Sequence, residues 1–196
     1  MALSTTGSLK QYIGYSGSDQ DTRLAAILVQ AQAAIEAWCR RVFEQTTYTD
    51  FVLDGPGENA LILPQYPCSA FSDLRYDPDR AFGSDKVVDP TTYVVDGPSG
   101  IVRRISNSRW PHGPRLLRAT FTAGYASIPA DLALACNIVA ADLWTRSRAL
   151  EGGGWQNEMI NDAVAGQGPT SYRQEHDVRS GLPVRATAIL ANFRKL

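Results

Sequence analysis

Histidine is scarce in this chain: 196 residues hold only His112 and His176. Neither has a cysteine or a second histidine at ligand spacing, so the sequence offers no metal site of the usual kind. Cysteine is nearly as scarce. Cys39, Cys68 and Cys136 are odd in number and far apart, which speaks against a disulfide framework and fits reduced, buried thiols in a cytosolic protein. Charge of one sign is lacking as well. The formal net charge is −1, so there is no global pull toward nucleic acid or an anionic membrane. The most apolar stretch, Ala130 to Trp144, is interrupted by Asp131, Asn137 and Asp142 and falls short of the about 20 apolar residues a bilayer requires. The first eight residues combine no basic start with an apolar run, so no signal peptide is expected.

Catalytic motifs are missing too. Gly152-Gly-Gly154 lacks the Lys-Ser/Thr partner of a phosphate loop and follows a helical segment rather than a strand. Ser99, in Gly97-Pro-Ser-Gly100, sits in a turn between two strands, which is the wrong setting for a nucleophile elbow. Asp77 and Asp79 read as solvated carboxylates of a polar loop. No cofactor is implied, and an enzyme is not expected.

What the chain does have is two amphipathic helices around a β-rich middle. From about Thr22 to Val42, apolar residues recur at steps of three and four: Leu24, Ile27, Leu28, Ala31, Ala34, Ile35, Trp38, Cys39 and Val42. A helix of that length is roughly 30 Å long at ~1.5 Å per residue. A second stripe (Leu132, Ala135, Cys136, Val139, Ala140, Leu143, with Trp144 at its edge) predicts a helix from Pro129 to about Arg148, with proline in the first turn. A short N-terminal helix is expected over Leu9–Gly14, with Ser8 as its cap. A short C-terminal helix is expected within 182–193, with Val184, Ala188, Ile189 and Phe193 as its apolar face.

Between the helices the period changes to two. Thr47–Leu53 and Ala60–Leu63 flank Asp54-Gly-Pro-Gly-Glu-Asn59 and read as a hairpin with a long loop. Ser72–Tyr76 is a strand, and Asp77–Asp89 a polar loop. Thr92–Val95 and Ile101–Ile105 form a second hairpin, and Arg115–Tyr125 the final strand. The fold class read from this layout is α+β: a helical bundle of two long helices plus short N- and C-terminal helices, with an inserted antiparallel β-hairpin or sheet region at about 46–125. Residues 1–150 form the core, and 151–196 a flexible Gly-rich loop with a C-terminal arm.

Charge is unevenly placed. Asp50 to Asp96 holds nine acids against three bases, whereas Gly97 to Pro129 holds five arginines and no acid. Two readings stay open: both segments are solvated surface, or an acidic face of one copy meets a basic face of the next. Trp110 and Tyr125, next to turns, are candidate interface anchors. Arg103 and Arg104 are adjacent on a strand and point to opposite faces.

The order of these pieces resembles the head–tail connector (adaptor, head completion) family of long-tailed phages and phage-like gene-transfer particles. The likeness is carried by Leu9-Lys-Gln-Tyr-Ile13, Arg23–Leu28, Ala31–Trp38, Arg41-Val-Phe43, Asp54-Gly55 and Leu61-Ile-Leu-Pro-Gln-Tyr-Pro67. It continues through Thr120-Phe-Thr-Ala-Gly-Tyr125 and Ile128-Pro-Ala-Asp-Leu132, and ends on Gly181-Leu-Pro183, Ile189-Leu190 and Phe193-Arg-Lys195. It spans nearly the whole chain. The resemblance implies a ring of identical copies, twelvefold, that docks on the portal protein, extends the DNA channel and receives the next neck or tail component (stopper or tail terminator). DNA would pass through without sequence recognition and no membrane would be involved. The site would be the virion neck, after assembly in the host bacterial cytoplasm. On this view Arg103, Arg104, Arg109, Trp110, Arg115, Arg118 and Tyr125 make subunit or channel contacts. Tyr172, Arg173, Leu182, Arg185, Ile189, Phe193 and Arg194 belong to a portal-docking arm. The alternative is a tail-completion or DNA-packaging accessory protein of the same particle. A hydrolase with an unrecognised site is the third possibility.

Overall fold

A computed structural model describes residues 2–106, 108–151, 176–177 and 181–194. The chain divides into two compact units, one of residues 42–127 and one of residues 2–41 with 128–196.

In the helical unit, α1 spans Thr6–Ile13. Its cap is Thr5, not Ser8: Thr5 is extended (φ −111°, ψ 156°), so its hydroxyl oxygen accepts the Ser8 N–H at 3.1 Å. Gly14 closes the helix in the left-handed region (φ 68°). Helix α2, Asp21–Cys39, stops three residues before the expected end. Arg40 turns left-handed (φ 56°) and returns its N–H to Glu36, which takes Val42 out of the helix. Of the expected stripe, Leu24, Ile27, Leu28, Ala31, Ile35 and Cys39 are buried, each large aliphatic side chain contributing about 1.5–3 kcal/mol, while Ala34 and Trp38 are half-buried. Helix α3 spans Ala130–Glu151, and the Pro129 carbonyl accepts the Ala133 N–H at 3.0 Å. Asn137 is buried among the apolar residues of α3, and both ends of its amide find partners. Its Oδ1 accepts from Ser4 Oγ at 2.6 Å and its Nδ2 donates to Ser8 Oγ at 2.9 Å.

Helix α4, Val184–Leu190, packs on α3. The expected apolar face is rotated. Leu182, Ala186 and Leu190 are buried at i, i+4 spacing, while Val184 and Ala188 face solvent and Ile189 is half-buried. In a helix of seven residues the row that meets the neighbour decides, and the neighbour is not visible in the local pattern.

In the sheet unit the strands are β1 (Thr46–Pro56), β2 (Ala60–Ile62), β3 (Cys68–Tyr76), β4 (Tyr93–Asp96), β5 (Ile101–Arg104) and β6 (His112–Ala123). They form two three-stranded antiparallel sheets, ordered β1-β6-β3 and β2-β5-β4. The β4–β5 hairpin is as expected. The first hairpin is not formed. β1 pairs along β6 as far as Pro56 opposite His112, and β2 turns away to pair with β5, Leu61 opposite Val102. Gly55 permits this route: a Cβ there would lie 2.1 Å from the Pro111 carbonyl oxygen. Gly124 has the same role at the other end of β6, with φ 109° and space for no side chain against Glu44.

The expected bundle with an inserted β region is therefore corrected. The class is α+β, but the described residues form four separate α-helices, of 8, 19, 22 and 7 residues, and two sheets that build their own core. That core gathers Leu53, Leu61, Leu74, Val102, Trp110 and Phe121. Period-two segments show which residues face inward. They do not show that strands far apart in sequence, such as β1 and β6, close on one another.

Candidate functional site

The positions of interest begin with the arginines of β5 and β6. Strand alternation separates Arg103 from Arg104, as expected. Arg103 is exposed. The Arg104 guanidinium lies 4.3 Å from the centre of the Trp110 ring and donates through Nη1 to Thr92 Oγ1 at 2.8 Å. Trp110 is 1% exposed, and its indole N–H donates to the Val102 carbonyl at 3.1 Å. It is a core residue, so it does not serve as an exposed anchor.

Arg118 is half-buried between three groups. Asp50 Oδ1 is 3.2 Å from Nε, the Phe82 carbonyl accepts from Nη2 at 3.2 Å, and the Phe82 ring centre is 5.0 Å from the guanidinium. Arg75 pairs with Asp73 at 2.9 Å and donates to the same Phe82 carbonyl at 2.8 Å. The two acids reach these positions because β1 and β3 each break register there. Asp50 (φ 53°) lies between Tyr48 and Phe51, and Asp73 (φ 51°) between Ser72 and Arg75. A bulge re-aims its residue, and aspartate tolerates the left-handed region better than most side chains.

Asp77 corrects another expectation. It is not solvated; it is 0% exposed. Its carboxylate accepts the N–H of Asp79 at 2.9 Å and of Phe82 at 2.7 Å. Burial pushes the carboxyl pKa up, but those N–H groups and the charge of Lys86 outweigh it and hold it below the ordinary range. The signal in the sequence was Asp77-Pro-Asp79, an Asx-turn pattern.

The uneven charge along the chain is thus partly neutralised within one unit, through Asp50–Arg118, Asp73–Arg75 and the N–H groups around Asp77. The exposed remainder includes Arg80, Arg103, Arg109 and Arg115 among the cations and Asp54, Glu58, Asp79, Asp85, Asp89 and Asp96 among the acids. Arg115 is held by its backbone N–H, which donates to Asp54 Oδ1 at 2.7 Å. Tyr125 is half-buried and stacks on Phe43, with ring centres 6.4 Å apart and planes at 22°.

Of the C-terminal positions, Leu182 is buried, Arg185 is exposed, and Ile189 and Phe193 are half-buried. The Arg194 guanidinium lies 5.1 Å from the centre of the Trp38 ring, and the Phe193 carbonyl accepts from Arg41 Nη1 at 3.5 Å. Tyr172 and Arg173, and the glycine-rich segment from 152 to 170, lie outside the described residues. His176, which the sequence gives no ligand partner, is held against α3. Its Nε2 is 3.0 Å from Asp142 Oδ1 and also meets Arg146, itself 2.9 Å from Asp142.

Burial pushes the Cys39 thiol up to about 11 and the Cys136 thiol up to about 12, far from the reactive range. A cleft of about 260 Å³ in the helical unit is lined by Tyr15, Asp19, Gln20, Arg23, Trp144 and Arg148. Its carboxylate is already bound by the Tyr15 hydroxyl and by Gln20 Nε2. Among the described residues no three His, Cys, Asp or Glu side chains are grouped to hold a metal, and no helix is long and apolar enough to cross a membrane.

The sequence profile of the family described as head completion protein matches residues 2–196. The chain belongs to the head completion protein family. Members of that family are structural subunits of the neck that joins head to tail, and this is the class of function of the present head completion protein. Its fold is shared with solved neck structures. A chain of the neck of an empty gene transfer agent particle with C6 symmetry aligns with TM-score 0.58 at 18% identity, over 97% of this chain and 88% of that one. A chain of the native gene transfer agent virion gives 0.56 at 18%, over 97% and 89%. A chain of the native particle's neck with C12 symmetry gives 0.56 at 19%, over 97% and 88%. No curated protein sequence matches the chain.

Proposed function

We propose that this head completion protein forms a closed ring of identical copies, twelve in number, that docks on the portal, extends the DNA channel and receives a stopper or tail terminator. The observation that carries the reading is the family match across residues 2–196, supported by the shared fold with a chain of a gene transfer agent neck computed with C12 symmetry. The protein assembles in the host bacterial cytoplasm, remains in the virion and performs no catalysis.

Arg103, Arg109 and Arg115 are exposed cations of the sheet unit and serve as contacts to a neighbouring copy or to the phosphates of DNA in transit. Residues 151–196 form the portal-docking segment, with Arg185 and Arg194 as its exposed cations in the described part. Mass photometry and negative-stain microscopy of the full chain with purified portal test the reading. Rings on the portal are the expected result. A chain that stays monomeric and never binds portal overturns it.

A further inference from the structure

One face of the β2-β5-β4 sheet lies in the core and the other in solvent. The register sets Ala60, Arg103 and Val94 side by side across the three strands, and Ile62, Ile101 and Asp96 in the next row. Ile105 extends that face by one step, since its N–H donates to the Thr92 carbonyl at 3.0 Å. The outer face of an antiparallel sheet ordinarily alternates to polar residues. This one carries Ile62 at 66% exposure, Val94 at 58% and Ile105 at 41%, around the exposed Arg103. Contiguous β-branched side chains in water mark a surface that is covered in use.

The same unit carries a counterpart. In the segment between β3 and β4, the Val88 N–H donates to the Leu74 carbonyl at 2.8 Å, and Val88 packs on the core. Alternation then turns Val87 outward, 49% exposed, and its backbone is bridged to Arg75. Exposed carboxylates stand two residues to either side, Asp85 and Asp89. Asp89 caps a following turn through Thr91. Asp85 pairs with the half-buried Lys86 at 3.3 Å, a contact of small worth where Asp85 itself lies in water. The result is an apolar knob between two anions, mounted on a strand edge.

We infer that the outer face of β2-β5-β4 in one copy receives the Asp85–Val87–Asp89 ridge of the next copy, with Arg103 meeting Asp85 and Val87 seated among Ile62, Val94 and Ile105. The inference rests on the ring reading above and names its contact. Two different patches of one chain make a heterologous interface, the kind that closes into rings. A polyphosphate does not suit this face, which sets one cation, Arg103, among apolar side chains and the carboxylate of Asp96.

The test uses charge reversal in the full chain with portal present, read by mass photometry. Both side chains are exposed, so circular dichroism of each variant should match the parent. Arg103→Glu alone and Asp85→Arg alone each raise the concentration needed for ring assembly by at least about tenfold, because like charges then face each other. An equimolar mixture of the two variants assembles again, because alternating copies restore opposite charges at every interface of an even-numbered ring. If either single variant assembles like the parent, or if the mixture does not recover, this contact is wrong while the ring reading stands. If the parent chain itself forms no ring on portal, both fall.

Discussion

The Arg118 guanidinium lies 5.0 Å from the centre of the Phe82 ring and donates to the carbonyl oxygen of the same residue at 3.2 Å. One side chain of β6 thereby holds both the ring and the backbone of a residue 36 positions earlier. Phe82 is itself left-handed (φ 51°) and 7% exposed. The segment is fastened from three directions, by Arg75, Arg118 and the buried Asp77. Phe82→Ala should therefore cost the sheet unit about 3–5 kcal/mol, the usual range for truncating a buried phenylalanine. Urea denaturation measures it, and a loss under about 1 kcal/mol would show that the loop contributes nothing to the core.

Asp77 gives that unit an acid limit. Its folded pKa is held below the ordinary value, so it binds its proton more weakly folded than unfolded. The stabilisation is complete above the unfolded pKa of about 4 and is lost as pH falls below that, through the folded value. Asp77→Asn should lower the melting temperature at pH 7 and flatten the fall in stability below pH 4. Thermal melts from pH 2.5 to 7 decide it; an unchanged acid limb in the variant argues against the assignment.

Trp110 joins the two sheets' interior, with Val102, Tyr93 and Arg104 as partners. Trp110→Phe removes a buried indole donor and leaves the Val102 carbonyl without it. The expected loss is about 1–3 kcal/mol. Fluorescence-detected unfolding of the variant reports it, and stability within error of the parent would mean the hydrogen bond is dispensable.

Leu190 is 0% exposed in the helical unit. Leu190→Ala should cost about 2–5 kcal/mol, whereas Arg185→Ala, at an exposed position of the same helix, should change stability by less than about 0.5 kcal/mol. Portal affinity measured on Arg185→Ala then separates docking from folding. A variant that folds normally and binds portal as the parent does removes Arg185 from the docking segment.

Salt offers a broader check. Contacts between exposed charges weaken as the screening length falls from about 10 Å at 0.1 M to about 3 Å at 1 M. Ring assembly should need more protein at high salt. Insensitivity over that range would mean that apolar contact alone closes the ring.

The amino-acid sequence by itself determined the two amphipathic helices, because a step of three and four fixes one face of a helix without reference to anything else. It also determined the β4–β5 hairpin, whose Asp96-Gly-Pro-Ser-Gly100 turn joins strands that are neighbours in the chain, and the separation of Arg103 from Arg104. Partners far apart in sequence were beyond it. That β1 lies on β6 and β2 on β5, that Asp50 and Asp73 meet arginines through bulges, that Asp77 is interior, and that Leu190 rather than Val184 turns inward all depend on which surfaces meet. Periodicity says which side of an element avoids water. Only the packed structure says what it finds there.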